Sequence, residues 1–467
     1  MSKTKILIKD YLLYFIGNSS TRFITLLLLP FFTKTLTKEE YGYFEIVNAA
    51  ILILVPIISL QLSEAVLRFK LDKKESADKT NVIETITSII IITAIISNIV
   101  FLIITEFVSL PYKTECLLFF NTFYVSSYLL RIARGLGKRA LYSSSNILYS
   151  LTLALSVAFF YLTNSLTLNN IFNIYSISNF IISIYLILRI GARNLFSFSK
   201  IEFKYFGILL AYSVPLLMET MNLWVMDLSD RFVIKFYIGL DAVGIYGVAY
   251  KLGISIYFLQ VIFNLIWQEE SFKEHGNEKV PVKNAFIFNN MARLLFSAFT
   301  VLLPFFDLYI KLFVDKRYIE ASSYLALILG GIIFSSLSSF WGIKYQVSKN
   351  TKGSLFTSLI GGVTNIILNI LLVPIIGLYG AALSTFISFL FIFIIRIRNS
   401  NFYIDTSLIS IKSLMFGFTI SLIFGIVITV NIPFVDYLLL TSGIIFSFLF
   451  NKNLISKVYS TLIGKIE

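Results

Sequence analysis

Apolar runs of 18 residues or more recur along this chain from one end to the other. At 1.5 Å of rise per residue, each is long enough to cross a bilayer core of about 30 Å. In hydrocarbon every backbone polar group must be satisfied inside its own segment, so such runs fold as helices. Only 14% of the residues are charged and 57% are hydrophobic, whereas a soluble chain has about 25% charged residues. The pattern predicts an all-α membrane protein with about fourteen transmembrane helices. They fall at about 11–36, 41–67, 80–105, 114–133, 140–163, 168–188, 205–229, 242–268, 284–310, 319–346, 353–374, 378–395, 408–430 and 433–450. The stretches between them are too short for a soluble domain.

Charge sets the orientation. Of the 39 Lys and Arg, 28 fall in the N-terminus, the C-terminal tail and the loops expected on the same side, and 8 in loops expected on the other. The positive-inside rule then places both termini in the cytoplasm of a multi-pass protein, with an even number of spans. The net charge of +13 follows from that bias and from anionic inner-leaflet lipid, so no nucleic-acid partner is expected. Lys3, Lys5 and Lys9 precede a long first span without an A-x-A cleavage site, which reads as a retained helix rather than a signal peptide. The single cysteine, Cys116, rules out an internal disulfide, and the single histidine, His275, sits in a polar loop. Neither points to a metal, and no cofactor is expected.

Three basic residues remain, all inside spans: Arg22, Lys251 and Arg293. Arg22 lies within about one residue of the middle of its span, preceded by Asn18, Ser19, Ser20 and Thr21. A charge at the bilayer centre costs at least about 2.5–3.5 kcal/mol unless it faces a partner or water.

An internal repeat organises the rest. LTKEEYGYF (Leu36–Phe44) and IGLDAVGIY (Ile238–Tyr246) share an apolar-x-x-acid-x-x-Gly-x-aromatic pattern, with Gly42 and Gly244 in register. A weaker echo joins the segment after the fourth span to the segment after the tenth. The chain therefore reads as two six-helix lobes, 1–200 and 201–400, with a terminal helix pair and tail over 401–467. An even number of spans per repeat makes the lobes parallel repeats with the substrate path between them.

The opening run from Asp10 to Ile51, the segment Leu228–Leu252 and LLVPIIGLYGAALSTFIS (Leu371–Ser388, with Gly377 and Gly380) resemble the bacterial polysaccharide transporter, or oligosaccharide flippase, family. That family belongs to the multidrug/oligosaccharidyl-lipid/polysaccharide exporter superfamily, and the resemblance extends to about residue 400. It implies a flippase of the bacterial inner membrane for undecaprenyl-pyrophosphate-linked oligosaccharide repeat units, serving a surface polysaccharide such as O-antigen or capsule. It also implies membrane lipid, a polysaccharide polymerase and chain-length machinery as partners, and alternating access as mechanism.

Against that substrate the polar residues take roles. Arg22 and Lys251, one in each lobe, would line a wet cavity and lower the crossing cost of a pyrophosphate. Arg293, Asn48 and Asn222 are further cavity candidates. Gln61, Glu64 and Arg68, at i, i+3 and i+7, would share one helix face, with Glu64–Arg68 as an ion pair or gate. Asp230 and Arg231 would form a second ion pair or gate, with Asp227 one turn deeper as a candidate coupling-cation ligand. Gly42, Gly244, Gly377 and Gly380 are structural positions of the repeat and of close helix contacts.

Enzyme signatures are absent: GLGKRA (Gly135–Ala140) lacks the spacing and the hydroxyl of a phosphate loop, so no enzymatic activity is expected. A lipid II flippase of the same superfamily is the main rival, and would favour a richer set of cavity arginines. A cation-coupled drug antiporter should keep an acid in the first span, and residues 11–36 have none.

Overall fold

A computed structural model of the chain describes residues 3–63, 79–191, 204–257, 260, 280–347, 351–398, 403–429, 434–452 and 454–456. Among these, no strand occurs and fourteen α-helices follow one another. They are α1 (Lys3–Thr35), α2 (Lys38–Ile58), α3 (Lys79–Phe107), α4 (Lys113–Gly135), α5 (Arg139–Leu162), α6 (Leu168–Ile190) and α7 (Lys204–Tyr237). Then come α8 (Leu240–Gly253), α9 (Val280–Phe313), α10 (Leu325–Val347), α11 (Thr351–Ile376), α12 (Leu378–Ile397), α13 (Ile411–Thr429) and α14 (Val435–Phe450). Ten helices among the described residues are long and apolar enough to cross a membrane, and α14 is a shorter apolar helix. The protein is an all-α membrane protein.

The chain divides into two compact units, Met1–Trp224 and Val225–Glu467. In the first, α1 packs on α5, α4 on α6, and α5 on α6. Its core is aromatic: Phe44 lies 5.1 Å from Tyr175 and 5.8 Å from Phe172, and Phe119 lies 5.4 Å from Tyr175. Ring pairs at these centroid spacings add attraction beyond simple area burial. The first copy of the repeat is a helix start. Thr37 caps α2 by accepting from the Glu40 amide while Glu40 accepts from the Thr37 amide, the reciprocal box that satisfies two orphan donors. Glu39 and Asp241 both fall in a first turn, where a carboxylate meets the positive end of the helix dipole.

In the second unit α10, α11 and α12 form a tight trio, α8 packs on α10, and α13 and α14 both pack on α9. Gly377, at φ +60°, starts α12. Gly380 lets α12 press on α11, since a Cβ there would lie 2.5 Å from the Leu372 carbonyl carbon.

Two expectations need correcting. The second span is not one continuous helix to residue 67. It stops at Ile58, and Leu60 and Gln61 adopt left-handed φ values of 50° and 52°. Pro56 lacks the amide that a continuous helix needs, and its carbonyl accepts from Gln61 five residues on. The helical face expected to join Gln61, Glu64 and Arg68 therefore does not start at Gln61. Glu64 and Arg68 themselves lie outside the described residues, as does His275. The seventh span runs two turns past residue 229, so Arg231 and Lys235 are helical rather than in a loop.

Candidate functional site

Arg22 is displayed. Its helix meets α5 through Gly17, where a Cβ would come within 2.8 Å of the Ser143 Cα, and through Ser20, which accepts from Ser150 at 3.3 Å. Two residues turn a helix by about 200°, so Arg22 points away from that contact. Arg22 and Phe23 are both exposed. The hydroxyls around them bond their own helix: Ser20 donates to the Gly17 carbonyl at 2.8 Å and Thr25 to the Thr21 carbonyl at 2.7 Å. A guanidinium in the middle of an apolar helix is retained where it faces water, an anion or a protein partner.

Lys251 is buried in the last turn of α8. The helix tightens there into a 3-10 turn, Ile254–Ile256, beside Gly253, whose missing Cβ makes room for Ile328. Asn48 is half-buried on α2. The side chains of Asn222 and Asp227 lie outside the described residues. Arg293 donates to Ser413 Oγ at 2.9 Å and lies 5.7 Å from the centre of the Phe450 ring, so it ties α9 to both helices of the terminal pair.

The most developed polar site surrounds Asp230, which is fully buried. Tyr246 donates to its Oδ2 at 2.6 Å and Thr385 to the same oxygen at 2.7 Å, while Asn369 donates to Oδ1 at 2.6 Å. Ser229 donates to Asn365 Oδ1 at 2.9 Å, and Asn369 bonds the same oxygen at 3.1 Å. One carboxylate, two carboxamides and three hydroxyls from α7, α8, α11 and α12 thus meet in one cluster of the second unit. Asn369 Oδ1 is buried there without a hydrogen-bond partner. Buried polar atoms are nearly always paired, so this oxygen is free to accept from a proton donor or a small cation. A single carboxylate among neutral oxygens matches a proton or one monovalent ion, whereas divalent ions draw several carboxylates. Among the described residues no group of three or more His, Cys, Asp or Glu could hold a metal. Arg231, next to Asp230, is also buried and stacks 4.6 Å from the centre of the Tyr250 ring.

Buried cations are more numerous than charge counting predicts. Lys344 and Arg396, assigned by sequence to inner segments, are 2% and 8% exposed. Arg396 donates to Thr357 Oγ1 at 3.1 Å, Ser358 Oγ at 3.0 Å and the Ser338 carbonyl at 3.2 Å. Lys344 donates to the carbonyls of Arg396 and Arg398. Gly342 makes space for the guanidinium, since a Cβ there would lie 2.8 Å from Nη1. Lys311, expected in an outer loop, closes α9 and lies 2.7 Å from Asp307 and 2.5 Å from Asp436 of α14. Only Lys311 carried a local signal, Asp307 four positions before it; the partners of Arg396 lie 38 to 58 positions away in sequence.

Residues 7–269 match the family model described as "Polysaccharide biosynthesis protein". No curated protein matches the chain by sequence. Among solved structures, the chain is similar to the lipid II flippase MurJ in an inward closed conformation, at 17% identity and a TM-score of 0.67, over 95% of this chain and 100% of that one. It is similar to the MATE multidrug transporter DinF-BH, at 14% identity and a TM-score of 0.63, over 86% and 97%. It is also similar to an inward-facing MATE family transporter of the MOP superfamily, at 14% identity and a TM-score of 0.62, over 88% and 95%. These likenesses establish a shared fold.

Proposed function

The chain belongs to the polysaccharide biosynthesis protein family, and on that premise we propose that it flips undecaprenyl-pyrophosphate-linked oligosaccharide repeat units across the bacterial inner membrane. The family match over 7–269 carries this reading. The fold shared with two classes of membrane transporter supports it, and so does a guanidinium displayed from the middle of a span. Arg22 is the residue of first interest, because its planar fork suits a pyrophosphate. Lys251, buried in its own unit, contributes to the local field rather than to direct contact. The two units exchange between inward and outward access, and the Asp230 pocket takes up and releases a proton or monovalent cation in step with them. Surface polysaccharide assembly, through a polymerase and chain-length machinery, consumes the flipped units.

The test is complementation of a strain lacking this gene, with surface glycan and membrane protein level measured together. Arg22→Ala should abolish surface glycan at normal protein level. Full export by a folded Arg22→Ala, Lys251→Ala double variant would sink the cationic-site reading. The fold shared with a lipid II flippase makes the peptidoglycan precursor the alternative cargo. Depletion that stops peptidoglycan synthesis while surface glycan persists would select it.

A further inference from the structure

Near its C-terminal end α9 carries a lysine held between two buried acids. Asp307 and Lys311 stand one turn apart on α9, in the favourable order of acid before base. Asp436 lies in the first turn of α14, where a carboxylate meets the positive end of the helix dipole. That helix has no side-chain cap, since its N-cap residue is Phe434, at φ 67°. Lys311 Nζ lies 2.7 Å from Asp307 Oδ2 and 2.5 Å from Asp436 Oδ2, so two carboxylates crowd one ammonium. The Asp307 side chain is 1% exposed and that of Asp436 8%.

With all three groups ionised, the cluster carries one negative charge in excess. Its neighbours do not offset that charge. Between Lys412 and Lys452 the chain has one charged residue, Asp436 itself. On the 3-10 segment after α9, Asp315 pairs with Arg317 at 2.8 Å, Glu320 accepts from Tyr324, and Lys316 is exposed. The one charge of α10, Lys344, sits in its last turn, on the carbonyls of Arg396 and Arg398. An unmatched carboxylate out of water is costly, and two carboxylates that share a site keep a proton between them. Lys311 donates to Asp436, whereas Asp307 Oδ2 is at ion-pair distance but has no hydrogen bond. Asp307, the deeper acid, is therefore the one placed to hold the proton.

We propose that Asp307, Lys311 and Asp436 form a proton-binding site that clasps the start of α14 to the end of α9. With one proton on Asp307 the cluster is neutral, Lys311 is left to Asp436, and the first turn of α14 is held. When that proton leaves, two carboxylates compete for one ammonium. Asp307 is fixed one turn away on the lysine's own helix, so Asp436, the more exposed acid, yields and the first turn of α14 loosens. The site shares no residue with the Asp230 cluster, lies within the second unit and does not depend on the cargo. Positive-inside counting assigns this end of α9 to the outer face, so the proton exchanges with that side.

The test is amide hydrogen exchange of Leu438–Thr441 in the full-length protein in lipid nanodiscs, without substrate, at about pH 5.5 and about pH 9. Free aspartate and lysine change charge little between those values, and protection factors remove the intrinsic pH dependence of exchange. In the parent, protection should fall about tenfold or more from the lower pH to the higher. Asp307→Asn keeps the shape and removes the competing charge, and should be protected alike at both. Asp436→Asn removes the tie, and should exchange at both pH values as fast as the parent does at the higher. Infrared spectroscopy should show a protonated aspartic acid in the parent that is lost at the higher pH and missing from Asp307→Asn. Parent protection that is unchanged with pH, or lower in acid, overturns the proposal. So does a folded Asp307→Asn that keeps the parent's pH dependence. Should Asp307→Asn fail to fold, Asp436→Asn decides, because pH-dependent protection that persists without Asp436 has another source.

Discussion

The hydroxyl of Tyr246 donates to the Oδ2 of Asp230 across 2.6 Å, joining the second copy of the sequence repeat to the buried acid of α7. Tyr246 is the closing aromatic of IGLDAVGIY, so the repeat delivers a polar contact and not only a turn. Tyr246→Phe leaves a buried carboxylate short of one donor and should destabilise by about 1–3 kcal/mol. Asp230→Asn sets a carboxamide among groups arranged to donate, and should cost more. Thermal unfolding ranks the two. In proteoliposomes, a folded Asp230→Asn variant should also lose any dependence of transport on an imposed ion gradient. Unchanged ion dependence would detach this pocket from coupling.

Arg22 and Lys251 should separate cleanly by phenotype. Arg22 is exposed, so Arg22→Ala should move stability by no more than about 0.5 kcal/mol while surface glycan falls at least tenfold. Lys251 is buried, and Lys251→Ala should lower stability as well as export. Unfolding temperature and glycan level, measured on the same preparations, check the contrast.

Gly443 brings α14 against α9 so closely that a Cβ would lie 2.3 Å from the Thr300 carbonyl oxygen. The obstacle is backbone, which cannot swing aside. Gly443→Ala should cost about 1–3 kcal/mol or more. Limited proteolysis after Phe450 should then speed up as the terminal pair loosens. An Ala variant as resistant as the parent would show that α14 can shift without loss.

Arg396 places its guanidinium among Thr357, Ser358 and Ser338. Arg396→Lys keeps the charge but lacks the fork, and so leaves several buried hydroxyls unmatched. It should destabilise by about 2 kcal/mol or more. Gly342→Ala, crowding Nη1, should weaken the same site from the opposite side. If combining the two adds little to either alone, they act through one site.

The number and order of the helices were legible because apolar length alone encodes them. Gly377 and Gly380 were legible as structural positions because left-handed backbone and close helix approach demand a missing side chain. The destination of the charges was less so. Positive-inside counting treats a Lys or Arg at a helix end as solvated, but Lys344 and Arg396 fold back onto backbone carbonyls and hydroxyls. A neutral acceptor leaves no signature in a charge count. The break at Leu60–Gln61 was hidden for a related reason. Periodicity sees an apolar run through Pro56, and neither residue of the break announces a left-handed turn as glycine would. The pocket around Asp230 draws on helices up to 155 residues apart in sequence, and no local pattern spans that distance.

The last helix of the terminal pair fastens along the C-terminal half of α9. Asp436 meets Lys311 at one end, Gly443 presses on Thr300 in the middle, and Asn451 donates to Ser297 at 2.8 Å toward the other. Those α9 groups are matched to a partner helix rather than to hydrocarbon. Cutting the chain after α12 would therefore turn Ser297, Thr300 and Asp307 into polar scars on a lipid-facing helix. A twelve-helix version of this architecture would need that stripe rewritten in leucine and valine before it could live alone in a bilayer, so helix number and the complexion of α9 must change together.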